Sequence, residues 1–259
     1  MKKILITVMA ILLPLSVANA ETPEEKGLKI ATEIEARDNG YGDMTADMEM
    51  ILVNKHGDKS VRQMTISNLE VPGDGDKGLS VFLNPKDIKG TALLTYSHKV
   101  GLDDQWLWLP ALKRVKRISS SNKSGSFMGS EFAFEDISSF EVEKYTYKFL
   151  REETYEGKKV FVLEADPVDE SSGYKRQLAY IDVERYIPLK TDFYDRKDSF
   201  LKTLTYEGYK QYGKYWRPDS MNMINHQTGK STTLSWTNYK FNTGLKDSDF
   251  TQNALKRAR

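Results

Sequence analysis

The residues with the most chemical content lie in the run Asp103-Asp104-Gln105-Trp106-Leu107-Trp108-Leu109-Pro110-Ala111-Leu112-Lys113-Arg114-Val115-Lys116-Arg117-Ile118. Period-two spacing puts Trp106 and Trp108 on one face of a strand that Pro110 closes. Four cations follow, Lys113, Arg114, Lys116 and Arg117, interleaved with Val115 and Ile118. A wide apolar surface beside a cationic edge suits the sequestering of an acyl chain, with an anionic headgroup or a partner on the cations. It does not suit bond breaking. In a strand Arg114 and Lys116 point one way and Lys113, Val115 and Arg117 the other, so at least one set of charges meets solvent, a headgroup or a partner. The simpler role for such cations is to guard an edge strand against aggregation.

Catalytic constellations are missing. His56, His98 and His226 each stand alone, without a carboxylate or second histidine at metal-ligand spacing. Gly73-Asp74-Gly75-Asp76-Lys77-Gly78 spells G-x-G-x-x-G, but it joins two strands, opens no helix and carries two aspartates that would repel phosphate. It reads as a hairpin loop with Asp74 and Asp76 solvated, since the oxygen series of a calcium loop is absent. Asp103-Asp104 and Glu135-Asp136 are adjacent pairs whose members would face opposite sides of a strand, and they read as turn and cap residues. No G-x-S-x-G elbow, H-E-x-x-H helix or P-loop occurs. The expectation is a protein that is not an enzyme and uses no cofactor and no metal. Met44, Met48 and Met50 share one face of a first strand, Met64 lies on its hairpin partner, and Met221 and Met223 share a face of a late strand. Methionine fills cores, and it also adapts to acyl chains of varied shape, so these positions either pack the interior or line a cavity.

The elements that carry these residues begin with a helix. Thr22 is the N-cap, Pro23 the first helical residue, Glu25 completes a capping box and Asn39-Gly40 supplies the stop, with Leu28, Ala31 and Ile34 as an apolar stripe. Beyond Gly40 the period changes to two. Strands are predicted over 44–52, 61–69, 79–83, 91–97, 105–109, 145–154, 159–165, 176–182, 188–194, 200–212, 215–225 and 231–241, joined by short turns such as Lys55-His56-Gly57-Asp58. Many antiparallel strands with short turns predict a strongly curved sheet or barrel, with the N-terminal helix covering one face or mouth.

The segment 119–139 breaks this rhythm. A flexible Ser/Gly stretch, 119–126, leads into Phe127-Met128-Gly129-Ser130-Glu131-Phe132-Ala133-Phe134, where four large apolar side chains alternate with small ones. Such a loop must bury itself, either as a fixed plug in the barrel or as a movable lid over a lipid cavity.

Lys2 and Lys3, the apolar stretch Ile4 to Leu15 and Val17-Ala18-Asn19-Ala20 read as a signal peptide over residues 1–20, cleaved after Ala20, and so as export to the periplasm. Without Lys2 and Lys3 the 38 basic residues become 36 against 37 acidic ones, so the net charge falls from +1 to −1. That balance argues against a nucleic-acid binder. No cysteine is present, so no disulfide supports the fold. No linker or repeat divides residues 21–259, which are expected to form a single domain.

Lys89-Gly90-Thr91-Ala92-Leu93-Leu94-Thr95-Tyr96, the Asp104 to Ile118 run and Ser126-Phe127-Met128-Gly129-Ser130-Glu131-Phe132 together resemble the outer-membrane lipoprotein-sorting proteins of Gram-negative bacteria, similar in fold to the periplasmic LolA/LolB-like carriers. Asn242 to Phe250 resembles the segment that closes those carriers. The resemblance implies a mainly β fold with a helical lid: a half-open antiparallel barrel of about eleven strands around an apolar cavity that holds acyl chains in transit. It also implies work beside an RND-type or MMPL-type exporter and peripheral membrane contact, with a monomer as the working unit. On this reading Trp106, Trp108, Phe127, Met128 and Phe132 lie along the apolar path, with Met44, Met48, Met50 and Met64 as its wall, while Lys113, Arg114, Lys116 and Arg117 meet headgroups or a partner. The alternative is a non-transporting sensor or accessory module of the envelope built on the same half-barrel. One departure from the carriers concerns the latch. They hold the lid with an arginine beside a proline near the second strand, whereas Arg62 here precedes Gln63.

Overall fold

The computed structural model describes residues 20–257, so the leader expected over residues 1–20 lies, apart from Ala20, outside the described residues. Helix α1 (Pro23–Asp38) starts where its caps dictate: Thr22 Oγ1 accepts from Glu25 N at 3.1 Å while the Glu25 carboxylate accepts from Thr22 N at 2.8 Å, and Asn39 ends the helix.

The strands are β1 (Asp43–Val53), β2 (Lys59–Leu69), β3 (Lys77–Asn84), β4 (Ala92–Tyr96), β5 (Asp104–Leu109), β6 (Arg114–Ile118), β7 (Tyr145–Tyr155), β8 (Lys158–Pro167), β9 (Tyr174–Asp182), β10 (Pro188–Asp195), β11 (Phe200–Glu207), β12 (Lys210–Tyr212), β13 (Tyr215–Arg217), β14 (Ser220–Asn225) and β15 (Lys230–Phe241). Thirteen of them form one sheet in the order β6-β5-β4-β3-β2-β1-β15-β14-β11-β10-β9-β8-β7, and β12 pairs only with β13. Every pairing is antiparallel, and the end strands β6 and β7 do not pair with each other, which leaves the barrel half open. The sheet thus exceeds the eleven or so strands that the resemblance implies. The long runs 200–212 and 215–225 are each broken, because Gly208 turns the chain at φ +66° and Pro218 has no N–H for a ladder. The piece between them peels away as the β12–β13 hairpin.

Register decides which face is inside. Directly opposed residues share a face, and Leu163, Ala179, Thr191, Leu204, Met223, Thr232 and Leu52 follow one another across β8, β9, β10, β11, β14, β15 and β1. That concave face carries the largest core cluster, which includes Met48, Met50, Met64, Phe82, Leu93 and Phe127. Helix α1 sits on the same face over β7 to β9, with Ile30 and Ala31 against Tyr147, Leu163 and Ala165. It therefore caps one part of the mouth, but through Gly27, Ile30 and Ala31, while Leu28 of the expected stripe is exposed. The convex face of β3 to β5 is also apolar, and the C-terminal segment with α2 (Gln252–Arg257) covers it through Phe250 and Leu255.

Gly27 lets α1 reach β7: a Cβ there would lie 2.9 Å from the backbone nitrogens of Lys148 and Phe149. Gly27→Ala is expected to lower unfolding stability by up to about 2 kcal/mol in urea denaturation, since overpacking of about 1–3 kcal/mol is offset by a gain in helix propensity of about 1 kcal/mol.

Candidate functional site

The concave face is filled by the segment after β6. Phe127 and Phe132 are 0% and 1% exposed. The Phe127 ring lies 5.9 Å from Phe82 on β3 and 5.7 Å from Phe134. The segment forms two 3-10 turns, Phe127–Gly129 and Phe134–Ile137, packed as a plug into the concave face.

Polar contacts from five different strands hold this plug. Arg62 on β2 donates from Nη1 to the carbonyl of Met128, a residue with φ +50°. Thr232 Oγ1 on β15 accepts from Glu131 N at 2.9 Å, and Asn225 Nδ2 on β14 donates to the Glu131 carboxylate at 2.7 Å. Lys202 Nζ on β11 lies 2.7 Å from Asp136 Oδ2 and donates to Glu131 O at 3.0 Å. Tyr174 on β9 donates to both Asp136 oxygens at 2.8 and 2.9 Å, and Ala133 N donates to Oδ2 at 2.7 Å. The Lys202 and Asp136 side chains are only 4% and 9% exposed, so this is a buried ion pair, with both carboxylate oxygens hydrogen-bonded. Glu135 is anchored too, by Ser172 Oγ and Gly173 N at 2.7 and 2.8 Å. Glu135 and Asp136 therefore anchor the plug, and Asp136, accepting from Ala133 N, also caps the turn Phe134–Ile137. Register, not a neighbouring proline, aims Arg62 at the plug, since Arg62 pairs with Met50 on the concave face.

Beside the plug, on the same face, a cavity of about 270 Å³ opens to solvent. Met44, Met48, Phe127 and Phe132 line it, joined by Met221 and Trp236. Met50 and Met64 lie fully buried below, and Met128 packs against that cluster. So of the nine residues expected along the apolar path, seven gather at one place. Trp106 and Trp108 do not. Leu107 faces the concave core, while both tryptophans lie on the convex face beneath the C-terminal segment. Alternation was right and the choice of inner face was wrong, because both faces of β5 are apolar.

The four cations lie outside the cavity lining. Lys113, Arg114, Lys116 and Arg117 are all exposed. Lys113 stands at φ +48° before β6 begins, outside the alternation, and Arg117 is paired with Asp104.

Other charged groups read as loop residues have fixed partners. His98 is clamped between Asp74, 2.8 Å from Nδ1, and Asp104, 3.5 Å from Nε2, so it does not stand alone. The bond from His98 holds the Asp74 carboxyl down to about 2. Asp76 accepts from Tyr41 Oη at 2.8 Å, and burial pushes its carboxyl up to about 6. Asp76 is thus not a solvated turn residue, while Asp74 remains solvent-accessible in its bend and is held by His98.

Glu35, Glu141 and Glu143 bring carboxylate oxygens within 4.8 Å of one another. Lys99 Nζ already supplies the positive charge, 3.5 Å from Glu35 and 3.9 Å from Glu143. Burial, with Asp76 and Glu35 adding repulsion, pushes Glu141 up to about 7. The folded state then holds a proton that the unfolded state releases near 4.5. Stability should fall as pH rises from about 4.5 to 7 and level off above that. Glu141→Gln is expected to flatten this decline in urea midpoints measured across that range.

Where β6 and β7 fail to meet, a second cavity of about 150 Å³ is bridged by ion pairs, Lys144 with Asp103 and Lys123 with Asp169. Asp103 and Asp104 are thus structural partners rather than free turn residues.

A half-open antiparallel sheet with an apolar concave face and a latched internal segment defines a LolA-like fold, and similarity to other proteins agrees. A Vibrio parahaemolyticus domain named for outer membrane lipoprotein sorting is 59% identical over 90% of this chain and 100% of its own, with a TM-score of 0.89. A DUF1329 family protein from Desulfovibrio piger is 29% identical over 90% and 99%, with a TM-score of 0.86. A LolA superfamily protein from Nitrosomonas europaea shares the fold at 20% identity over 88% and 98%, with a TM-score of 0.72. Residues 74–257 match a family described as "Uncharacterized protein". No curated protein matches. The chain belongs to the outer membrane lipoprotein-sorting protein family.

Proposed function

We propose that the protein is a periplasmic carrier that holds the acyl part of a lipid or lipoprotein in the plugged cavity and passes it toward the outer membrane, in concert with an inner-membrane exporter of RND or MMPL type. The observation that carries this reading is the pairing of an open, methionine-lined cavity with an apolar plug held there by polar contacts. A merely structural core would not leave that space, and methionine adapts to guests of varied shape. The space is below the roughly 300–1,000 Å³ of ordinary ligand pockets. A long chain therefore needs the plug to move, and the plug's polar attachments can be exchanged for water more readily than a continuous apolar interface.

Mass spectrometry of lipids that co-purify with protein from the periplasm tests the reading. A bound acyl lipid, displaced by a hydrophobic dye at micromolar affinity, supports it; protein that emerges empty and binds no dye points to the sensor alternative. The exposed Arg114 and Lys116 are the membrane-facing candidates. Their joint replacement by glutamine is expected to weaken capture on anionic vesicles, most at low salt, with the fold intact.

A further inference from the structure

Among the described residues, only two charged side chains line the apolar cavity, Asp136 and Arg217. Asp136 is matched by Lys202 and Tyr174, so it offers a guest no uncompensated charge. Arg217, the last residue of β13, is different. Its Nη1 donates to Trp216 O at 3.0 Å and pairs with Asp38, the last residue of α1. Among the described residues Nε and Nη2 have no hydrogen-bond acceptor. Those two nitrogens form one edge of the guanidinium fork, which fits two oxygens of a carboxylate or phosphate at once. The Arg217 side chain is 11% exposed and Asp38 is 53% exposed, so the arginine is set at the cavity and its present partner is turned to water. The rings of Tyr41, Phe241 and Tyr215 lie 5.5, 5.7 and 5.8 Å from its guanidinium carbon and fix it beside apolar surface. Ser138 Oγ, from a residue that also lines the cavity, is buried without a hydrogen-bond partner, so a guest bearing oxygen gains more there than an alkane does.

We propose that the cavity selects a single-chain amphiphile with an oxyanion head, its chain against Met44, Met48 and Met221 and its head on the free edge of Arg217, beside or in place of Asp38. This inference rests on the carrier reading and adds the class of guest. At about 30 Å³ per water-sized group, the 270 Å³ cavity accommodates roughly nine methylenes, so the nine-carbon tail of decanoate fits without movement of the plug and that of decyl phosphate exceeds it by one carbon.

Decanoate, decyl phosphate and methyl decanoate are titrated against the full mature chain by calorimetry, in wild type, Arg217→Gln and Asp38→Asn. The expected result is that Arg217→Gln weakens at least one of the two acids tenfold or more and leaves the ester within twofold. Which acid falls identifies the head. Asp38→Asn, which removes the competing carboxylate, should strengthen that same acid severalfold and leave the ester alone. It keeps the test decisive if Arg217→Gln does not fold: an acid affinity unchanged or lowered in Asp38→Asn overturns the proposal. Wild type that binds ester and acids equally, or Arg217→Gln that binds the acids as wild type does, overturns the head assignment and leaves the carrier reading standing. Wild type that binds none of the three overturns both.

Discussion

Replacing Lys202 with methionine is expected to cost about 3–5 kcal/mol of stability, because it strands the Asp136 carboxylate in the interior. Lys202 and Asp136 are almost wholly out of water, and each has its remaining hydrogen-bonding groups committed to the plug and to Tyr174. Removing one partner leaves a buried charge, whereas removing both leaves a smaller defect. The double variant Lys202→Met/Asp136→Asn should therefore recover most of the loss. Urea unfolding monitored by tryptophan fluorescence and by far-ultraviolet circular dichroism reads both variants. If Lys202→Met and the double variant unfold at the wild-type midpoint, the pair contributes nothing to holding the plug. A lower m-value with raised dye binding would show that the plug leaves before the sheet unfolds.

Tying the plug down should impose a limit on chain length. The protein contains no cysteine, so Glu131→Cys with Thr232→Cys introduces one possible bridge, at a place where the plug backbone and a β15 side chain are already 2.9 Å apart. The oxidised protein is expected to bind decanoate as the reduced protein does and to lose binding of sixteen-carbon palmitate by tenfold or more, with recovery on reduction. The reason is volume. About 270 Å³ accepts a short chain beside Phe127 and Phe132, and a longer chain must take the space those rings occupy. Equal palmitate affinity in the oxidised and reduced forms would mean that the plug is fixed core and that long chains bind elsewhere.

Much of this architecture is legible in the sequence, and the reasons for the exceptions are specific. The capping box at Thr22 and Glu25 and the stop at Asn39 are local chemistry, and α1 runs between them. The first hairpin pairs β1 with β2 without interruption, as the alternating methionines predict. The faces of β5 were not decidable from alternation, because Leu107 and the two tryptophans are all apolar and what covers the tryptophans is a segment more than 130 residues later, at Phe250 and Leu255. Distance in sequence also hid the polar partners. Asp76 meets Tyr41, Asp74 meets His98, and Arg62 meets Met128, contacts separated by 35, 24 and 66 residues. A search for an arginine next to a proline could not find Arg62, whose role depends on cross-strand register. Arg217 was missed for a related reason: it lay inside a run read as one strand, and only the break at Pro218 gives it a place on a separate hairpin at the cavity rim.

The order of strands in the sheet sets a timetable for folding. β1 pairs with β15, so the middle of the sheet joins strands nearly two hundred residues apart, with Met50 opposite Leu234. Until residues 230–241 emerge, the chain can form two separate pieces, one from β1 to β6 and one from β7 to β14, each with an open inner edge. The plug segment lies between those pieces in sequence and has polar partners in both, and its contact from Glu131 to Thr232 waits for the final strand. Contacts this far apart make folding slow and leave unpaired edges exposed in the meantime. The half-barrel is thus a structure completed from its last strand inward, and a chain stopped short of β15 would retain most of its sheet-forming sequence with no way to join the halves.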